Sequence, residues 1–498
     1  MKGCSEMYIP ISRRDFVQLT GALTVGAMAG GFLSAAEAAA SLGSSDGKMQ
    51  YAGRDLPLLY AADCCVVGGG PSGTAAAINA ARHGAKTALI ERGTALGVLQ
   101  TLGLVLPFMP TYAPESDTPY VAENKQKMLD HGINMSDGVT DEGWTNPEIL
   151  SLLYDGLCAE AGVEVLYHTV LVDTILKDGK IQYCVVQTIA GLAAVTAKVF
   201  IDGSGDALLA RMAGVPAEKG SDKTGRNQPM SFRFEMGGID IEKVYQYDTV
   251  DLQDTWCKSK PPYVELAEAM GRKQRYKLES FFQRGVEAGE LQQEDANYFQ
   301  AFAIIGKPGT MSMNCPELPH EFSATDPLSY SRAVRCGRQM IHRISQYLIK
   351  HMPGFEHAYI SREATMLGAR ESWRIRGKFY MTEDDYHNRS RFPDAVARTA
   401  YFIDAHGERV DEKIPKGEFY EIPYRAMITD QVSNLLVAGR CISTSFILQA
   451  SMRIQPTCMS IGEAAGIAAA WGLKHNTEVN ALHWEEIPKE QRSYYTKG

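Results

Sequence analysis

The 498-residue chain is 45% apolar and 22% charged, the balance of a folded globular protein with room for two to three domains at about 150 residues each. That balance excludes a disordered chain, a collagen-like fibre and a multi-span membrane protein. Lys and Arg number 50 against 59 Asp and Glu, for a net charge of −9, the opposite of what a phosphate-gripping protein carries, so nucleic acid is excluded as a partner.

At the amino terminus, Ser12-Arg13-Arg14-Asp15-Phe16 precedes a weakly hydrophobic Gly/Ala-rich stretch from Val17 to about Ser34, and Ala36-Glu37-Ala38-Ala39-Ala40 offers A-x-A cleavage points. This order is that of an export signal of the twin-arginine type over residues 1–40. It places the mature protein in the periplasm or at the cell surface. A short membrane anchor and a buried Ala/Gly helix are the competing readings. A spanning helix needs about 20 predominantly apolar residues, and this stretch is interrupted by Gly and Thr, so no stable span is expected after cleavage. Cleavage removes Lys2, Arg13 and Arg14 against Glu6, Asp15 and Glu37, and leaves the charge at −9.

Asp63-Cys64-Cys65-Val66-Val67 reads as a buried parallel strand. Gly68-Gly69-Gly70-Pro71-Ser72-Gly73 follows, then a helix with a stripe of Ala76, Ala77, Ala80 and Ala81, then a strand from Lys86 to Ile90 that ends at Glu91 and Arg92. A G-x-G-x-x-G turn between strand and helix, with an acidic residue ending the next strand, is the dinucleotide fingerprint. Gly68 permits the tight turn, Gly70 lets the backbone approach a pyrophosphate, and Gly73 lets helix and strand pack closely. Pro71 and Ser72 open the helix, whose amino end offers unpaired N–H groups to phosphate, and Glu91 accepts from a ribose 2′-OH.

Val163 to Val172, carrying Val170, and Lys180 to Gln187 read as paired strands around Lys177-Asp178-Gly179-Lys180. Lys198 to Asp202 reads as a strand into a second glycine loop, Gly203-Ser204-Gly205-Asp206. In the middle of the chain, Gln228 to Met236 alternates like a strand and Tyr330 to Lys350 has helical periodicity, stopped by Pro353-Gly354-Phe355. Residues 240–300, rich in Gln, Glu, Lys and Tyr, read as a helical insertion with a solvated charged face. Asn434 to Gly439 and Arg440 form a third glycine-ended strand, before Gln455-Pro456-Thr457-Cys458 and a helix with small residues at Gly462, Ala464, Ala465, Gly466, Ala468 and Ala469. Three glycine-ended strands so far apart suit FAD: the first holds the pyrophosphate, the second passes beside it, and the third ends near the ribityl chain.

These runs, with Gly368-Ala369-Arg370-Glu371-Ser372-Trp373-Arg374-Ile375, Asp404-Ala405-His406 and Ser451-Met452-Arg453, resemble the FAD-dependent oxidoreductase family with a glutathione-reductase-type dinucleotide domain, over residues 60 to 475. The resemblance implies FAD as cofactor and an α/β fold: a Rossmann-like FAD-binding domain of three-layer ββα architecture, interleaved with an α+β substrate domain. Residues 55–110, 150–220 and 430–475 make the discontinuous FAD-binding domain, 111–149 a cap excursion, 225–425 the substrate domain and 476–498 a tail. The chain departs from the family pattern at Leu96-Gly97-Val98, at Trp373 in place of an arginine, and at Phe446 in place of a histidine. Trp373 and Phe446 predict a more apolar or aromatic substrate pocket.

Hydride transfer to or from a flavin needs a substrate held at the ring and a group for the partner proton. Arg370, Arg374 and Arg453 are candidates to clamp a carboxylate or polarise a carbonyl, and His406 and Tyr380 are candidate proton donors. Each arginine can instead be a structural ion pair. Asn314 and Arg338 are expected to be interdomain hydrogen-bonders. The ten cysteines show no CxxC, CxxCH or Cys/His spacing, so no metal site is expected, and electrons must pass to or from a separate partner: a quinone, a cytochrome or another redox protein. The sequence therefore predicts an exported FAD-dependent oxidoreductase of a small organic molecule, with an FAD-requiring lyase or hydratase, or a flavin-retaining binding protein, as alternatives.

Overall fold

The computed structural model describes residues 49–132, 143–253, 264–268, 277–406, 408, 410 and 412–494; the expected signal at 1–40 lies outside them. Two compact units divide at Leu58. In the first, Met49–Tyr51 and Arg54–Leu56 pair as an antiparallel hairpin.

In the second unit, five parallel strands form a sheet in the order Leu435–Val437, Val199–Asp202, Cys64–Val67, Thr87–Ile90, Glu164–Leu166. All but the Glu164–Leu166 edge strand are buried along their whole length, which requires cover on both faces. The helices Pro71–Arg82 and Gln455–His475 give one layer. An antiparallel meander of Gly191–Thr196, Lys180–Thr188 and Val170–Lys177 gives another, with Cys184 against Cys65 of the sheet. All three layers share one hydrophobic core, in the ββα arrangement expected. The meander turns at Asp178 and Gly179, with φ of 52° and 72°, the pair of positive values a two-residue hairpin turn demands. Val163 to Val172 is not one strand. Glu164–Leu166 joins the parallel sheet, and His168, at φ 50°, turns the chain before Val170.

A second core belongs to the middle of the chain. Its antiparallel sheet runs Glu265–Glu268, Phe299–Ala303, Met311–Met313, Phe234–Gly237, Tyr359–Glu363. The Pro327–His351 helix begins at Asp326, whose side chain accepts from Ser329 N–H, and buries Ala333, Gly337, Met340, Ile341, Ile344 and Leu348, a stripe at helical spacing. The segment 240–300 is not all helical. It holds helices Ile241–Gln246 and Glu279–Glu287, but also the first two strands of this sheet; the short run of buried Phe299 and Ala301 is hidden within a charged composition. Only Phe234 to Met236 of the Gln228–Met236 run enter the ladder, in the strand Phe234–Gly237. Residues before it are tied by main-chain bonds from Phe232 N to Pro316 O, from Leu318 N to Met230 O, and between Ser231 and Gly368. Among the described residues no helix is long and apolar enough to cross a membrane.

The Gln455–His475 and Pro71–Arg82 helices approach backbone to backbone. A Cβ on Gly462 would lie 2.1 Å from the Ser72 carbonyl oxygen, and one on Gly466 2.3 Å from that of Ala76. Gly466→Ala must therefore separate the helices and is expected to cost about 1–3 kcal/mol. Gly156→Ala, on the exposed face of the Pro147–Ala161 helix with nothing within 4 Å, is expected to gain about 0.5–1 kcal/mol. Thermal unfolding of the two variants checks both signs.

Between those glycines Glu463 is buried, and its carboxyl accepts the Tyr120 N–H at 3.2 Å, at the start of the Pro119–Asp130 helix. Burial pushes its pKa up to about 7, against the pull of Thr118 and Tyr120. Between the ordinary glutamate value and 7 the folded chain holds a proton that the unfolded chain has lost, so stability falls as pH rises through that window. Glu463→Gln keeps an acceptor and removes the titration. Its unfolding should match the parent at pH 4.5 and exceed it by about 2–3 kcal/mol at pH 8, as read by melting curves at both pH values.

Candidate functional site

The dinucleotide end of the sheet is built on glycine contacts. Gly68 has φ +96°, and a Cβ there would lie 2.7 Å from Ser204 Cα; a Cβ on Gly73 would lie 1.8 Å from the Gly68 oxygen, and one on Gly203 2.6 Å from Gly73 Cα. Two strand ends and one helix amino end thus meet with no side chain between them. The helix starts from Gly70 with no side-chain cap and no acidic residue in its first turn, which leaves its N–H groups and positive dipole end for an anion. Buried Glu91 accepts from Gly69 N–H at 2.7 Å and Gly93 N–H at 2.6 Å. Each of its oxygens keeps a further lone pair for a ribose hydroxyl. Asp206 accepts from Ser372 Oγ at 2.6 Å and Arg440 Nη2 at 2.7 Å, and Arg440 Nε donates to Gly205 O at 2.8 Å. Burial raises the Asp206 pKa, but Arg440 and Ser372 outweigh it and hold the carboxyl below its ordinary value.

One cavity runs along these groups. Gly68, Gly70, Pro71, Ser72, Glu91, Arg92, Val170, Gly203, Gly205, Asp206, Arg440 and Cys458 line it, and so do Arg370 and Arg453. Gly73, Gly439 and Thr457 stand outside that lining: Gly73 at the helix–strand contact, Gly439 against Ser72 Oγ, and Thr457 buried in the first turn of its helix. The cradle of bare backbone, open helix end and ribose-facing carboxylate fits a dinucleotide of the FAD kind, with the second and third glycine strands beside it.

The structure separates the catalytic candidates into two groups. Arg374 is 1% exposed and lies off the cavity. It donates to Glu371, to Thr444 O at 3.0 Å and to Gly220 O at 3.3 Å, and meets Glu218 at 3.4 Å. Tyr380 donates to the same Glu218 at 2.5 Å and carries Arg376 on its ring. This network braces the antiparallel pair Ala217–Lys219 and Trp373–Ile375, so neither residue reaches the cavity as expected. Trp373 is sandwiched by Arg211 and Lys219, and Phe446 lies under Arg374. Neither lines this cavity, so the two side chains do not give it the more apolar or aromatic wall expected of them; both pack against cationic side chains instead. Arg338 pairs with Glu363, and Asn314 donates to Tyr298 and Gln300; all three contacts lie within the middle segment of the chain and none reaches the dinucleotide sheet.

Arg370, His406 and Arg453 do come together, through two carboxylates that the sequence reading did not single out. Arg370 Nη2 lies 3.3 Å from Glu317 Oε2, which is 2.5 Å from His406 Nδ1. His406 Nε2 is 3.4 Å from Asp404 Oδ1, and Asp404 Oδ2 is 3.0 Å from Arg453 Nη2. Burial raises both carboxyls, but Arg370 and His406 hold Glu317, and His406 and Arg453 hold Asp404, below the ordinary carboxylate range. The cavity is also lined by Ser231, Arg233 and Gln455, all unpredicted. The signal for the first two was present: in the Gln228–Met236 alternation they form the polar face.

The FAD dependent oxidoreductase family matches residues 63–491. No curated protein matches the chain. Solved structures similar to it include a geranylgeranyl bacteriochlorophyll reductase-like protein from Thermoplasma acidophilum (14% identity, TM-score 0.42, 87% of this chain and 84% of that one). A p-nitrophenol 4-monooxygenase from Pseudomonas putida is similar at 10% identity and TM-score 0.44, over 86% and 84%. The flavin-dependent brominase Bmp2 gives 12% identity and TM-score 0.41, over 86% and 81%. With the glycine cradle and the family match over most of its length, the chain belongs to the FAD-dependent oxidoreductases and takes FAD as its cofactor.

Proposed function

We propose that this enzyme is exported and moves hydride between a small organic substrate and the flavin, with electrons passing to or from a separate quinone, cytochrome or other redox protein. The observation that carries the reading is the shared cavity. One wall is the glycine cradle with Glu91 and Asp206; the other is Ser231, Arg233, Met366 and Arg370 of the substrate half. Bound FAD supplies hydride chemistry at its ring. The chain's own residues supply position and protons. Arg370 and Arg453 face the substrate, each fixed from behind by a carboxylate. His406, between Glu317 and Asp404, is the group placed to give or take the partner proton, one carboxylate behind the wall. The absence of CxxC and Cys/His spacing in the sequence supports an electron partner outside this chain, and the Arg13-Arg14 run supports export.

Mixing the oxidised holoenzyme anaerobically with steroids, phenolics, unsaturated acids and sugars, and the dithionite-reduced enzyme with the same panel and a quinone, tests the redox reading. Bleaching or recovery of the oxidised flavin band is expected. Turnover of a substrate with the band unchanged throughout would overturn the reading in favour of a lyase or hydratase. For export, replacing Arg13 and Arg14 together with Lys in the full chain is expected to leave uncleaved protein inside the cell on fractionation. Unchanged export would remove the twin-arginine route.

A further inference from the structure

We propose that the substrate-side wall is an anion subsite in which Arg233, electrostatically close to Arg370 and Arg453, takes the carboxylate of an organic-acid substrate; this rests on the reading that the substrate enters the flavin cavity.

The charge balance of the wall leads there. Arg370 is matched by Glu317 and Arg453 by Asp404, so the linked chain through His406 is neutral or, with the imidazole protonated, positive. Arg233 stands outside it. It is 8% exposed and lines the cavity. Its Nη1 donates to Leu104 O at 3.3 Å, and among the described residues no carboxylate pairs with it. Burial, with the nearby Arg370 and Arg453 charges adding to it, lowers its pKa to about 10, and at neutral pH it remains a cation. A buried guanidinium without a counter-charge is costly, and the cost is relieved when an anion enters.

Neighbouring orphan groups specify which anion. Ser231 Oγ and Arg453 Nε are buried without a hydrogen-bond partner among the described residues, and both residues line the same cavity. Ser231 and Arg233 are two apart on an extended segment and so share a face. That segment is held in place by Ser231–Gly368 and Phe232–Pro316 main-chain bonds and by Arg370 Nη1 donating to Pro229 O at 2.6 Å. Guanidinium groups and a hydroxyl along one cavity wall suit a planar two-oxygen acceptor. The cofactor's phosphates do not compete for this place. Their site is the Pro71–Arg82 helix end, and the arginine beside it, Arg440, is already paired with Asp206.

The test titrates benzoate and acetate against the oxidised, FAD-loaded enzyme, reading the flavin band, with benzamide and acetamide as neutral isosteres. The carboxylates are expected to perturb the band and the amides not to. Arg233→Met should keep the FAD content of the parent and weaken benzoate by about thirtyfold or more; Arg233→Lys should fall between. If Arg233→Met sheds FAD, the Lys variant decides by the same comparison. Equal binding of acid and amide, or parental benzoate affinity in the variants, would overturn the subsite. A lowered flavin reduction potential with benzoate affinity intact would overturn it too, because Arg233 would then serve the cofactor. Benzoate protection against thermal unfolding, measured on loaded and unloaded chain, reports the subsite without the flavin, so its failure is distinguishable from failure of the flavoenzyme reading.

Discussion

The amino end of the Pro71–Arg82 helix is pressed against two other backbones at once, and that contact sets the position of everything around the cavity. Gly73 meets the Gly68 carbonyl, Gly203 meets Gly73, and Gly462 of the later helix meets the Ser72 carbonyl. No side chain larger than hydrogen fits at any of these points. Because peptide lies directly on peptide, the helix N–H groups end up level with the carboxyl ends of the Cys64–Val67 and Val199–Asp202 strands, where an open α/β sheet binds its ligands. The price is paid in sequence freedom rather than in contacts: residues hundreds of positions apart must be small together.

From that fixed end the substrate wall is assembled by long-range charge pairing. Glu317, Arg370, Asp404 with His406, and Arg453 come from four separate stretches, and they meet as an unbroken series of polar contacts in which His406 links two arginine–carboxylate pairs and the two terminal arginines reach the cavity. Buried pairs of this kind add little net stability, because desolvation offsets attraction. Their value lies in geometry, since each guanidinium is held against one carboxylate. The Arg374 network uses the same residue types and bonds to Glu371, Glu218 and two carbonyls, but it joins two strands away from the cavity. Similar chemistry serves scaffold in one place and site in the other; only location distinguishes them.

That distinction explains what was legible in the sequence. The glycine fingerprint, Glu91 and the Asp178-Gly179 turn are local, with spacing and conformation fixed within a few residues, and they could be read directly. Arg370 and Arg374 sit in one run of sequence, yet four residues of a bent segment send one into the cavity and the other into a strand brace. Trp373 and Phe446 looked like pocket residues because aromatic rings suit pockets; here they cover arginines. Glu317 has no local signature, since its partners Arg370 and His406 lie far along the chain; Asp404 stood in the Asp404-Ala405-His406 run, but its pairing with Arg453 could not be read there. Arg233 lay in view, on the polar side of an alternation whose apolar side, Met230, Phe232, Phe234 and Met236, is buried. Polar residues on such a strand normally face solvent. The sequence could not show that this polar face is buried as well.

Glu463 and Arg233 pose one physical problem and resolve it differently. Each is a buried ionisable group without an opposite charge paired to it among the described residues. A carboxyl whose pKa has risen to about 7 escapes by holding a proton, so Glu463 becomes a neutral hydrogen-bonding group inside the fold and needs nothing from outside. Guanidinium starts so high that the same burial brings it only to about 10, and it stays charged throughout the physiological range. Its compensation cannot be a proton, and among the described residues no carboxylate supplies it. An anion entering the cavity is what would compensate it, which is why a buried arginine on a cavity wall bears on ligand binding in a way that a buried, protonated glutamate in a helix interface does not.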